Sequence, residues 1–161
     1  MTMLVPMSIK GLMLDPVSNS PIVVLKDGED KIFLPIWVGI FEANAIALRL
    51  EDIETPRPMT HDLLRNFIAE LHGNVTRIVI NDLKESTFYA LIHVETGDRS
   101  MTIDARPSDA IALALRTAAP IFVDQSVLDQ AQTISIEDTG EDRLKQWLEE
   151  VNPEELGKYK M

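Results

Sequence analysis

Ile103-Asp104-Ala105-Arg106-Pro107-Ser108-Asp109-Ala110-Ile111-Ala112-Leu113-Ala114-Leu115-Arg116 contains an apolar, strand-like run, a kinked Arg-Pro step and an Ala/Leu/Ile helix. The strand is expected to end at Asp104 and the helix to begin at Ser108. Ser108 suits the N-cap, because its hydroxyl can accept from the free amides of the first turn. Asp109 then lies where the helix dipole favours a negative charge. Ala110 to Leu115 is apolar almost all round, which predicts a buried helix. Two carboxylates, a guanidinium and a hydroxyl therefore converge where a buried helix starts. Such a cluster can hold a phosphate or a metal ion.

The same pattern occurs earlier in the chain. Asn44-Ala45-Ile46-Ala47-Leu48 matches Asp109-Ala110-Ile111-Ala112-Leu113. Ahead of it, Ser20-Pro21-Ile22-Val23-Val24-Leu25 lines up with Ser86-Thr87-Phe88-Tyr89-Ala90-Leu91, and Gly11 to Asp15 with Arg77 to Asn81. These matches predict internal repeats over about residues 7–50 and 74–117, each reading strand, strand, strand, helix. β-branched and aromatic runs mark strands at Ile22 to Leu25, Ile32 to Val38, Val75 to Ile80, Thr87 to Val94 and Ser100 to Asp104. Asp15-Pro16, Lys26-Asp27-Gly28 and Thr96-Gly97-Asp98 read as turns. Between the repeats, Thr60 can cap a helix with an apolar stripe of Leu63, Leu64, Phe67, Ile68 and Leu71, ended by Gly73. Pro120 to Val123 reads as a short strand and Val127 to Ala131 as a short helix. The expected fold is α+β: a duplicated strand-strand-strand-helix unit forming a mixed sheet, with helices mainly on one face. This domain spans residues 1–132. Residues 133–161 read as an acidic linker and an amphipathic helix starting at Arg143, whose Trp147 and Leu148 need a surface to dock on.

At 161 residues and 45% hydrophobic content the chain can bury a real core. No apolar run approaches the roughly 18–20 residues that span a bilayer, so no membrane role is expected. Met1 to Pro6 lacks the cationic stretch and apolar region of a signal peptide. The absence of cysteine excludes disulfide and thiolate chemistry and fits a reducing, cytoplasmic location. The net charge is −11, and residues 124–161, with ten acidic and four basic side chains, carry over half of it. That balance argues against a broad nucleic-acid surface, so a nucleic-acid substrate would need a local site.

Several residues are candidates for chemistry, each with a plainer alternative. Glu42 starts the first buried helix, where it can satisfy the helix dipole or belong to a site. His61 and Asp62 open the connecting helix. The histidine can serve as general base or simply be solvated. His72 and His93 carry less: one closes a helix, and the other alternates with Ile92 and Val94 and should face solvent. Asp104 and Asp109, five apart across a strand–turn–helix junction, could hold Mg²⁺ or Mn²⁺ for metal-assisted phosphodiester hydrolysis. Alternatively, Arg106 or Arg116 could pair with either aspartate and lock the fold. The chain has no glycine-rich phosphate loop and no zinc-ligand spacing, and Ser108 has no evident base in sequence.

Leu34-Pro35-Ile36-Trp37-Val38-Gly39 with Glu42-Ala43 resembles the bifunctional nucleases. So do Arg57-Pro58-Met59-Thr60-His61-Asp62-Leu63-Leu64, Asp104 to Leu113, and Ala119-Pro120-Ile121-Phe122-Val123. The resemblance covers about residues 5–130, and Leu144 to Tyr159 looks like the extension of bacterial members. It implies a duplicated α+β fold, frequent oligomerisation, and nuclease activity of the kind that gave the plant members their name, cutting DNA and RNA. Its polar motif residues here are Glu42, His61, Asp62, Asp104, Arg106, Ser108 and Asp109. The expectation is a nuclease of low sequence specificity with DNA and RNA as substrates. In it Glu42, Asp104 and Asp109 hold a divalent cation, Mg or Mn, and His61 acts as general base supported by Asp62. Arg106 stabilises phosphate charge, and Ser108 stands among the catalytic candidates. The alternative is a non-catalytic regulatory or assembly module, with an Arg–Asp structural network and an acidic protein-binding surface. Exposed Trp37 and Trp147 would favour a homo-oligomer.

Overall fold

The computed structural model describes residues 3–131 and 133–135. The expected C-terminal helix and Trp147 lie outside these residues. The described chain runs β1 (Leu4–Leu14), β2 (Pro21–Asp27), β3 (Ile32–Trp37), α1 (Ile40–Leu50), α2 (Thr60–Glu70), β4 (Gly73–Lys84), β5 (Thr87–Thr96), β6 (Arg99–Ala105), α3 (Pro107–Thr117), β7 (Ile121–Asp124), α4 (Gln125–Gln130) and β8 (Ile134–Ser135).

Among the described residues, the strands form one mixed sheet in the order β6-β5-β4-β7-β1-β2-β3-β8. Two antiparallel meanders, β1-β2-β3 and β4-β5-β6, thus lie on either side of β7. The β7 strand runs parallel to β4 and antiparallel to β1. Each meander passes from its third strand into a helix, α1 or α3, and these two helices pack on each other. Both strand-to-helix junctions are thereby brought to the same part of the molecule. The sequence-predicted α+β class and mixed sheet are observed.

One contiguous core joins Val23, Leu25, Leu34 and Ile36 of the first meander to Ile78 and Ile80 of the second, with Ile46, Ile111 and Leu113 from the helices. Ile111 and Leu113 are fully buried, and each such side chain contributes about 1.5–3 kcal/mol on leaving water. The helix that the sequence marks as apolar all round is therefore the central one. By strand alternation Ile22 and Val24 face the other way, and they too are buried, so β2 is covered on both faces. Among the described residues no helix is long and apolar enough to cross a membrane.

Several local expectations change. Trp37, expected at the surface, is 8% exposed. Its indole N–H donates to Asp15 Oδ2 at 3.0 Å, and Asp15 Oδ1 also accepts from the Val17 amide, so a buried carboxylate bolts the β1–β2 turn to the end of β3. Gly73 is not the left-handed residue that ends α2: His72 is, with φ 59, and Gly73 already begins β4. A Cβ at Gly73 would lie 3.1 Å from Ile68 Cγ2 and 3.2 Å from the Ile68 carbonyl, so a side chain there would press α2 back by a few tenths of an ångström. The α2 stripe exists but remains open: Leu63, Phe67 and Leu71 are half-exposed or more, and no α2 residue is fully buried. His93, expected to face solvent, is half-buried.

Candidate active site

The junction into α3 differs in detail from the expectation. Arg106, in an extended conformation, is the N-cap, Pro107 is the first helical residue, and Ser108 is the second. Proline suits that first position because its missing amide hydrogen would have had no partner in the helix. Ser108 consequently caps nothing. It is 1% exposed, and its hydroxyl has no hydrogen-bond partner among the described residues.

The expected convergence is real, but its members are held by one another. Arg106 Nε donates to Asp109 Oδ2 at 2.9 Å, and Arg106 Nη2 donates to Glu42 Oε1 at 2.8 Å. The other oxygen of Asp109, Oδ1, lies 2.9 Å from His61 Nε2. The starts of α1, α2 and α3 are thus joined in the chain Glu42–Arg106–Asp109–His61. The hydrogen bonds from Asp109 and then Glu42 outweigh desolvation and hold the Arg106 guanidinium further above its already high pKa. All four residues line a cavity of about 830 Å³ between α1, α2 and β6, whose remaining wall is mostly apolar, including Phe41, Leu64, Phe67 and Ile103.

Asp62 and Asp104 stand apart from this chain. Neighbouring residues on a helix point in different directions, so Asp62 does not support His61. Its Oδ2 accepts from the Met59 amide at 2.9 Å, and its Oδ1 accepts from Arg116 Nε at 2.7 Å. Arg116 also donates to the carbonyls of Ala112 and Ala45, so a single buried guanidinium ties all three helices together. Burial pushes the Asp62 carboxyl upward, but the bonds from Met59 and Arg116 outweigh it and leave the group below the usual aspartate range. Asp104 lies on β6 at the rim of the same cavity. It is out of phase with Ile103 and Ala105, and its carboxylate makes no hydrogen bond or ion pair among the described residues.

The donor set can therefore be compared with what a metal would require. Among the described residues, no group of three His, Asp or Glu side chains is gathered so as to hold an ion. Glu42 and Asp109 both turn to Arg106, and the guanidinium occupies the place between them. As arranged, Glu42, Asp104 and Asp109 do not fit a divalent cation.

What the residues can do follows from this geometry. A histidine whose Nε2 faces a carboxylate keeps its proton there and presents Nδ1 as a base. The carboxylate also stabilises the imidazolium that forms when the base takes a proton. Arg106 offers a permanent cation at the same end of the cavity.

The bifunctional nuclease domain model matches residues 23–135, which include every residue of the site. The chain belongs to the bifunctional nuclease domain family. An uncharacterized protein of Mycobacterium tuberculosis is 37% identical over 157 residues, covering 91% of this chain and 94% of its own. Bifunctional nuclease 2 of Oryza sativa subsp. japonica is 30% identical over 112 residues, covering 66% of this chain and 34% of that protein. Bifunctional nuclease 1 of the same plant is 24% identical over 109 residues, or 33% of its length. The domain shared with the plant nucleases is thus about a third of those chains.

The residue the sequence underrated was Arg116. It was expected to meet Asp104 or Asp109, and it meets Asp62. Its signal was a lone cation ending an otherwise apolar helix, where burial demands a partner.

Proposed function

We propose that this protein hydrolyses phosphodiester bonds of DNA and RNA with low sequence specificity, using the cavity at the starts of α2 and α3. The observation that carries the reading is the 2.9 Å contact between His61 and Asp109 beside Arg106, within the domain that bears the nuclease name. His61 Nδ1 takes a proton from water as the water oxygen bonds to phosphorus. The phosphorus–oxygen bond to the leaving group then breaks, and the leaving oxygen is protonated from solvent. Water is the required nucleophile for a substrate range that includes DNA, which has no 2′-hydroxyl. Asp109 holds the ring and stabilises the imidazolium, and Arg106 offsets charge building on the phosphate oxygens. A Mg²⁺ or Mn²⁺ ion at Glu42, Asp104 and Asp109 would have to displace Arg106, so this mechanism assigns the cationic role to Arg106. The two meanders flanking β7 are the arrangement a duplicated unit would leave.

The decisive experiment is hydrolysis of labelled single-stranded DNA and RNA with and without EDTA. His61→Ala should lower cutting by about 10²–10⁴-fold, the usual contribution of a general base, with melting unchanged. Full activity in folded His61→Ala would sink the assignment, and abolition by EDTA would return the carboxylates to metal binding. The apolar cavity wall favours one other reading, a non-catalytic assembly module, and the complete absence of cutting would make it the leading one.

A further inference from the structure

A second cavity, of about 230 Å³, adjoins the first on the other side of the start of α2, and its lining includes Arg49, Arg57, Arg65 and Arg116 against the acids Glu54 and Asp62. Arg116 and Asp62 cancel each other in their ion pair. Three arginines then remain opposite one glutamate, in a chain whose net charge is −11. Such a concentration of positive charge repels itself unless something negative occupies it.

The hydrogen bonding shows the same want. Arg49 Nε is buried with no partner among the described residues. Arg57 makes no side-chain hydrogen bond or ion pair there, and Arg65 hydrogen-bonds only the neighbouring Asn66 amide oxygen, at 3.2 and 3.3 Å, while sharing the Asp62 charge with Arg116 at longer range. Arg49, in the last turn of α1, complements the helix dipole. That role explains neither its orphaned N–H nor the approach of Arg57 and Arg65 from another segment. Guanidinium groups match tetrahedral oxyanions because their forked N–H groups bond two oxygens at once.

We propose that this second cavity binds a phosphate group through Arg49, Arg57 and Arg65. It meets the first cavity at Leu48, which lines both, and at the start of α2, where His61 faces one and Asp62 the other. A nucleic-acid strand with one phosphate at His61 and Arg106 would therefore set another in the arginine cavity. The strand as source of that phosphate rests on the hydrolase reading; the phosphate chemistry of the cavity does not. A strongly acidic protein would in this way hold a polyanion by a local site.

The test uses the full chain carrying His61→Ala, so that a strand persists while its binding is measured. Fluorescence anisotropy of a labelled single-stranded DNA is followed against salt, and ³¹P line broadening reports inorganic phosphate. Arg57→Ala and Arg65→Ala should each weaken strand binding roughly tenfold and lower the magnitude of its salt slope by about 0.7, the loss expected for one phosphate contact on a single strand. Both should also weaken phosphate binding, and their melting curves should match the parent's. Loss of phosphate binding with strand binding intact would uphold the site and identify its ligand as free phosphate. Unchanged binding of both ligands in folded Arg57→Ala and Arg65→Ala would overturn the proposal, as would a parent that binds neither. Phosphate binding that depends on these arginines, together with no cutting by the chain that retains His61, would sink the hydrolase reading alone.

Discussion

Arg106 and Arg116 stand at opposite ends of α3, and each pairs with one carboxylate from a neighbouring helix, Glu42 of α1 or Asp62 of α2. Their surroundings differ sharply. The Arg116 side chain is 1% exposed and its partner Asp62 18%, whereas the Arg106 side chain is 52% exposed and sits at the mouth of a large cavity. The same ion chemistry therefore serves two ends. A buried pair is retained because breaking it leaves an uncompensated charge in the interior. A half-exposed pair holds its groups in place at little energetic consequence, since water screens it, and leaves them free to exchange partners for a substrate.

That contrast is broken or sharpened most strongly by removing each arginine in turn. Arg116→Ala strands Asp62 and two helix carbonyls, and it should destabilise the protein by about 3–5 kcal/mol. Arg106→Ala should shift stability by less than about 1 kcal/mol. Urea midpoints at an unchanged m-value measure both. Equal losses would mean that the Glu42–Arg106–Asp109–His61 chain is also a fold lock, and the hydrolase reading would lose its footing.

A smaller effect separates the two networks by pH. The Asp62 carboxyl is held below its ordinary value of 3.8, and so is that of Asp15, where bonds from the Val17 amide and the Trp37 indole outweigh burial. A depressed folded pKa gives stability that is fully present above the unfolded value and disappears as pH falls through the folded one. The protein should therefore lose stability progressively below about pH 4. Asp62→Asn should lower stability at neutral pH and flatten part of that acid slope, leaving the share due to Asp15. Thermal melts from pH 7 to pH 2 measure the difference. An acid limb identical in Asp62→Asn and the parent would show that Asp62 gains nothing from Arg116.

Much of this arrangement could be read in the sequence, where the signal was local. The α3 interior is apolar on every side, so burial follows directly. The matched segments around Asn44 and Asp109 placed both helices behind three-stranded units, and both are found there. The pairing of Arg106 with Asp109, three residues apart, was among those expected and is found, but the charges that meet across the fold could not be read. Asp109 joins His61 from 48 residues away, and Glu42 joins Arg106 from 64 away, distances at which only the sheet order decides neighbours. Asp104 was grouped with Asp109 by proximity in sequence. Both line the same cavity, but Asp109 is taken up by Arg106 and His61, and Asp104 joins neither. The α2 stripe and Trp37 failed in opposite directions for one reason: periodicity identifies an apolar face without saying what covers it.

The smallest expected effect concerns Ser108, whose residue type suggested a cap or a catalytic hydroxyl. Its position after Pro107 turns the side chain inward, where the hydroxyl is buried without a partner among the described residues. A buried hydroxyl that makes no bond contributes desolvation with nothing in return, so deleting it removes an unfavourable group. Ser108→Ala also leaves no large void, since only one oxygen is lost. Stability should then be unchanged or raised by up to about 1 kcal/mol, against the loss of about 0.5–2 kcal/mol typical of removing a true N-cap serine. A clear fall in the urea midpoint would show that the hydroxyl is bonded in solution and would restore Ser108 to the junction between β6 and α3.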